Sequence, residues 1–279
     1  MSGKLAEIEA RIGSVEQLAV VISAMRGIAA ARTAEAGRHL EGIRTYAGAV
    51  AHAIGQALAV TAAPAGGEAA AGPQAIVAFC AEQGFAGSFS ARILERAASL
   101  SAADTVILIV GDRGLAAAAE KGIVPDWSQP MVSSVEQVTL LANRVMDALY
   151  ERIDAGTVRS VRLVHARPSA SSVLDIVAKR LIPFDFSGFP AIGNGEPPLL
   201  TLPPRDLLAS LVEEYVFAEL CEAAILSFAA ENEARMHAMV AAQQNVSDTL
   251  DGLVSASQRQ RQEEITNEIG ELSASILST

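Results

Sequence analysis

The sequence predicts an α/β protein built as a long antiparallel coiled coil of N- and C-terminal helices, with a Rossmann-like α/β domain inserted between them. Three observations lead there. Proline is absent from the chain before Pro64 and after Pro204, and apolar residues in both end segments recur at helical spacings. Between those segments, short apolar runs alternate with amphipathic stretches, as in a parallel sheet with covering helices. The segment APAGGEAAAGP, residues 63–73, separates the first end from the middle and reads as a linker.

The N-terminal section, residues 1–60, carries Leu5, Ile8, Ile12, Val15, Ala19 and Ile22 at spacings of three and four. That narrow stripe belongs to a helix packed on another helix. The middle section, 74–204, opens with AIVAFC (75–80) and TVILIV (105–110), two runs of strand type, with a helix predicted over Ser88–Leu100 between them. A second helix is expected over Val135–Ile153. The runs VRSVRLVHA (158–166) and SVLDIVAKRLI (172–182) follow as strands, and PFDFSGFPAIGNGEPP (183–198) as loop. The C-terminal section, 205–279, starts after Pro203 and Pro204 with Asp206 at the helix start. Its apolar positions run through Leu208, Leu211, Tyr215, Met239, Ala242, Val246, Leu250 and Leu253. A single helix of that length is on the order of 100 Å long and needs partners beyond its own domain.

Composition narrows the function. The chain has 279 residues, 51% of them hydrophobic but only 4% aromatic, so its helices pack closely through alanine. The net charge of -11 argues against nucleic-acid binding. No apolar stretch is expected to reach the roughly 18 to 20 residues of a membrane span, and the N-terminus lacks an apolar signal core. Cys80 and Cys221 are far apart and read as buried small hydrophobes; His39, His52, His165 and His237 have no metal-site spacing. Neither a cofactor nor a metal is implied.

The turn EQGFAGSFS, residues 82–90, follows the first strand, yet it is neither a dinucleotide fingerprint nor a phosphate loop with its lysine. Tight packing is the expected role there and at Gly111–Gly114. The stretch SASQRQRQEE, residues 255–264, interrupts the apolar stripe, which resumes at Ile265, Ile269, Leu272 and Ile276. Two readings stand: a solvated helix face, or a surface meeting another protein through Arg259, Arg261 and Gln262, since arginine bonds carboxylates in a fork. Two broader alternatives also stand, an α/β nucleotide- or metabolite-binding enzyme with helical extensions and a self-associating coiled-coil adaptor.

Specific residues add a resemblance. IGSVEQLAVVISAMRGIAAAR (12–32), ENEARMHAMVAAQQNVSDTLDGL (231–253) and RQRQEEITNEIGEL (259–272) resemble the end helices of the gamma subunit of F-type ATP synthases. The Ala-Arg-Met, Ala-Met-x-Ala-Ala and Ile-Thr-x-Glu elements carry most of the likeness. The resemblance implies a non-catalytic rotor shaft. Its coiled coil would stand inside a hexamer of alpha and beta subunits, and its globular part would rest on the membrane c-ring and bind epsilon, without inserting into the bilayer. The location implied is the cytoplasmic side of a bacterial inner membrane. Carried over residue by residue, Met25 and Arg235 match shaft positions near the acidic lever of beta. Arg261, Gln262 and Thr266 match the patch that engages a catch loop of beta, and Glu268 an acidic position beyond it. Departures from the family pattern are Glu82-Gln83 for its aspartate-arginine pair, Ser90 for its asparagine, and Ser257-Gln258 for the tyrosine and asparagine before the catch arginine. They mark a divergent bacterial branch.

Overall fold

A computed structural model describes residues 3–61, 72–169, 174–189 and 200–277, without the side chains of 271, 272 and 274–277. Most of the expected linker 63–73, the later part of the expected loop 183–198, and the side chains of Leu272 and Ile276 lie outside the described residues.

Helix α1 spans Gly3–Val60 and helix α5 spans Pro204–Leu277. Between them come β1 (Gln74–Phe79), α2 (Phe89–Leu100), β2 (Thr105–Val110), α3 (Asp112–Glu120), β3 (Trp127–Gln129), α4 (Val138–Asp154), β4 (Ser160–Arg167) and β5 (Asp175–Ile182). The strand order is β3-β2-β1-β4-β5. The first four strands are parallel, and β5 pairs antiparallel with β4 as an edge. Both β3 and α3 were absent from the sequence expectation, and β5 begins three residues later than the run at 172–182 suggested.

Residues Ala30–Arg235 form one compact unit, and Met1–Ala29 with Met236–Thr279 form the other. These units do not coincide with the expected sections 1–60, 74–204 and 205–279, because the inner parts of both long helices join the sheet. Strand periodicity explains the body's two cores. From β1, Ala75, Val77 and Phe79 point to a face covered by α4 and by Val216–Ala229 of α5, with Ala36, Leu40 and Ile43 of α1. Ile76, Ala78 and Cys80 point to the opposite face, under Ile93 and Leu94 of α2 and Ala118 of α3. A sheet buried on both faces explains why its strands read as continuous apolar runs rather than alternating ones. The turn into α3 is tight, as expected: Gly111 has φ +105°, and a Cβ there would lie 2.6 Å from the Cys80 carbonyl oxygen.

The other unit is a pair of helix segments. Ile22 of α1 is buried with Met239 and Val246 of α5, flanked by Val15, Ala19, Met25, Ala242 and Leu250. The pairing is antiparallel, since Glu9 meets Arg261 while Arg26 meets Gln243. One expectation is corrected here. By length and composition α1 is apolar enough to cross a bilayer, with an 18-residue window of mean hydropathy 1.3. Its many alanines and sparse charges raise that mean, and Leu18, Val20, Val21 and Ile28 add exposed apolar surface.

Candidate functional site

The ends of the parallel strands are where a Rossmann-like sheet normally holds a ligand, because several backbone N–H groups converge there. In this chain its own carboxylates occupy those donors. The Glu231 carboxylate, from α5, accepts from the backbone N–H of Glu82 (3.1 Å) and of Gln83 (3.2 Å). The Glu82 carboxylate accepts from the N–H of Met131 (2.7 Å) and Asp112 (3.2 Å), joining the ends of β1, β2 and β3. Glu233 accepts from Ser169 N–H after β4 at 2.9 Å.

Arg235 completes this arrangement. It pairs with Glu231 one helical turn away and donates to the carbonyls of Gly84 (3.0 Å) and Gln83 (3.2 Å) and to Asn232 Oδ1 (3.0 Å). The residue is 5% exposed. Sequence matching put Arg235 at a partner-facing shaft position; its guanidinium instead turns inward, because a buried Glu231 needs a cation beside it. Burial, with the Glu231 charge adding to it, pushes the Cys80 thiol up to about 12, so Cys80 is an inert core residue.

The clamped loop carries a feature that sequence reading did not single out. Phe85 has φ +63° and is 66% exposed. A bulky residue in the left-handed region persists only when its surroundings hold it there, and the bonds from Glu231 and Arg235 to the three residues just before it, 82–84, help to do so. An exposed aromatic on strained backbone suits contact with another molecule. The only advance signal was the glycine-flanked aromatic in EQGFAGSFS.

The remaining expected residues lie in the helical pair. Met25 is half-buried against the seam. Arg259, Arg261, Gln262, Thr266 and Glu268 are all exposed. Arg259, Gln262 and Thr266 line one shallow depression with Glu263 and Asn267, whereas Arg261 turns to α1 and pairs with Glu9 at 2.9 Å. Glu268 does not join that depression. Thr266 donates its hydroxyl to the Gln262 carbonyl at 2.8 Å, the usual solution for a hydroxyl inside a helix.

A body whose strand ends are sealed from within, joined in one chain to a separate antiparallel pair of helix segments, is the make-up of a stalk-type subunit. A family model described as ATP synthase matches residues 4–277. The ATP synthase gamma chain of Frankia casuarinae is 29% identical, over 98% of this chain and 96% of its own length. That of Rhodospirillum rubrum is 26% identical, over 96% and 97%. The rotor of Euglena gracilis mitochondrial ATP synthase in rotational state 1 shares the fold, with TM-score 0.67 and 10% identity over 95% of this chain and 100% of that one. The chain belongs to the ATP synthase gamma family, and as such it is a non-catalytic subunit of the peripheral part of a membrane complex.

Proposed function

We propose that the chain is the central rotor shaft of a rotary F-type ATP synthase, coupling ion flow through a membrane c-ring to conformational change in an alpha/beta hexamer. Its body would rest on the c-ring and bind epsilon, on the cytoplasmic side of a bacterial inner membrane. The observation that carries this reading is the antiparallel pair formed by α1 and α5, with a polar, mostly exposed stretch at 255–264. Such a shaft works by asymmetry. Its surface binds the conformers of three equivalent catalytic subunits unequally, and rotation moves that preference around the ring.

Arg259, Arg261, Gln262, Thr266 and Glu268 are contacts proposed toward beta, and Met25, at a different level of the seam beside Ile22 and Met239, is a contact proposed toward the acidic lever of beta. Arg261 and Glu9 have side chains 62% and 39% exposed, so their pair contributes roughly 0 to 1 kcal/mol to the isolated chain. An arginine desolvated against a partner costs about 2 to 5 kcal/mol when truncated. Arg261→Ala with Gln262→Ala is therefore expected to leave helix content and melting of the isolated chain nearly unchanged. The reconstituted complex is expected to hydrolyse ATP several-fold more slowly or to assemble poorly. Wild-type turnover and assembly at matched stoichiometry would remove this patch from the contact surface.

A further inference from the structure

One pocket of the α/β body lies away from the strand ends, against the first turns of α5. Two adjacent rows of that helix form its floor. Leu208, Val212 and Val216 recur every four residues as an apolar row, and Arg205, Ala209 and Glu213 form the next. Ala209 offers only a methyl group, so the floor is recessed between its charged neighbours. Phe184 and Phe186 line the wall and meet edge-on at 4.9 Å; Phe184 is held in turn by Phe189, stacked at 5.1 Å, and by Tyr215, edge-on at 5.6 Å, neither of which lines the pocket. Interlocked rings of this kind hold their shape without a ligand. The cavity is about 680 Å³, within the range of roughly 300 to 1,000 Å³ usual for small-molecule sites.

Its polar groups are few and placed. Among the described residues, Thr61 Oγ1 is the one buried side-chain polar atom without a hydrogen-bond partner, and Thr61 lines this pocket. Arg205 and Glu213 lie two turns apart on α5, about 12 Å along the axis, so the rim carries one cation and one anion. Tyr150 shares the Glu213 end; burial, and then the Glu213 charge, raise its phenol and keep it a hydrogen-bond donor. A carboxylate beside a phenol repels an anionic head and accepts from hydroxyls.

We propose that this pocket binds a small uncharged amphiphile, its alkyl chain lying over Ala209 against the phenylalanine wall and its hydroxylated head bonded at the Glu213 and Tyr150 end. Isothermal titration of the purified full chain with octyl glucoside, kept below its micelle concentration, tests this. One saturable site per chain is expected. Ala209→Phe, at an exposed position, fills the floor and is expected to weaken binding about tenfold or more with melting unchanged. Glu213→Gln is expected to weaken it by a smaller factor, about threefold. Val212→Trp serves as a second filling variant should Ala209→Phe fold poorly. The absence of saturable binding, or a site indifferent to both filling variants, overturns the proposal. So does binding that disappears in the assembled complex, because a protein neighbour then covers the pocket.

Discussion

Truncating Arg235 strands a carboxylate. Glu231 is 3% exposed, and its charge is balanced inside the chain by the Arg235 guanidinium and two backbone N–H groups. Breaking a buried pair from one side typically costs about 3 to 5 kcal/mol, because the remaining charge has no solvent to turn to. Arg235→Ala is therefore expected to lower the stability of the isolated chain by that amount in urea unfolding. Arg235→Lys is expected to recover little of the loss, since one ammonium cannot reproduce a fork that reaches Gly84 O, Gln83 O, Asn232 Oδ1 and Glu231 together. A near-neutral Arg235→Ala would mean that the guanidinium does not balance Glu231 and is free to serve a partner after all. The contrast with Arg261 is one of environment: the same side chain is a keystone when buried and an available contact when exposed.

At the scale of elements, the helical pair is the feature most open to direct test. Ile22 and Val246 lie in one buried cluster of α1 and α5. With Cys80 and Cys221 replaced, Ile22→Cys and Val246→Cys are expected to form a disulfide under mild oxidation, whereas Val20→Cys, on a 70% exposed position, is not. Equal yields from both combinations would contradict the antiparallel register. These helices were legible in the sequence because a stripe at spacings of three and four is a local property of the chain. The parallel core of the sheet was legible for the same reason, since strands buried on both faces stay apolar throughout. Strand β3 was not, because Trp127–Gln129 is a three-residue edge with no period to detect. Helix α3 was missed because DRGLAAAAE is only nine residues long and its inner face is made of glycine and alanine with Leu115 as the one large apolar side chain. The antiparallel direction of β5 is set by pairing, which no local pattern encodes. Arg235 shows the same limit at a site: its motif pointed to a shaft surface, but its hydrogen bonds depend on a loop about 150 residues earlier in the chain.

Over the whole molecule, what distinguishes this chain from an enzyme with a similar sheet is the way its strand ends are filled. In a nucleotide-binding sheet the free N–H groups beyond β1 and at the first helix start receive phosphate oxygens, and glycines let the phosphate approach. Here the N–H groups of Glu82, Gln83, Asp112, Met131 and Ser169 are all held by Glu231, Glu82 and Glu233. An incoming polyphosphate would have to displace these carboxylates, Glu231 among them buried, and then sit beside their charge. Repulsion at such distances exceeds what a few hydrogen bonds return. The helix that supplies Glu231 and Glu233 also continues into the paired segment, so one element both seals the crevice and contributes to the stalk. Sealing favours rigidity, which suits the proposed shaft role, because N–H groups already bonded within the chain have no need to rearrange. The isolated chain is therefore expected to bind Mg-ATP no more tightly than millimolar and to hydrolyse none. Isothermal titration and a phosphate-release assay on the pure protein check both, with Glu231→Gln as a control that weakens the seal. Micromolar binding by the wild-type chain would show that the carboxylates yield to phosphate, and would restore a nucleotide-binding role to the α/β body.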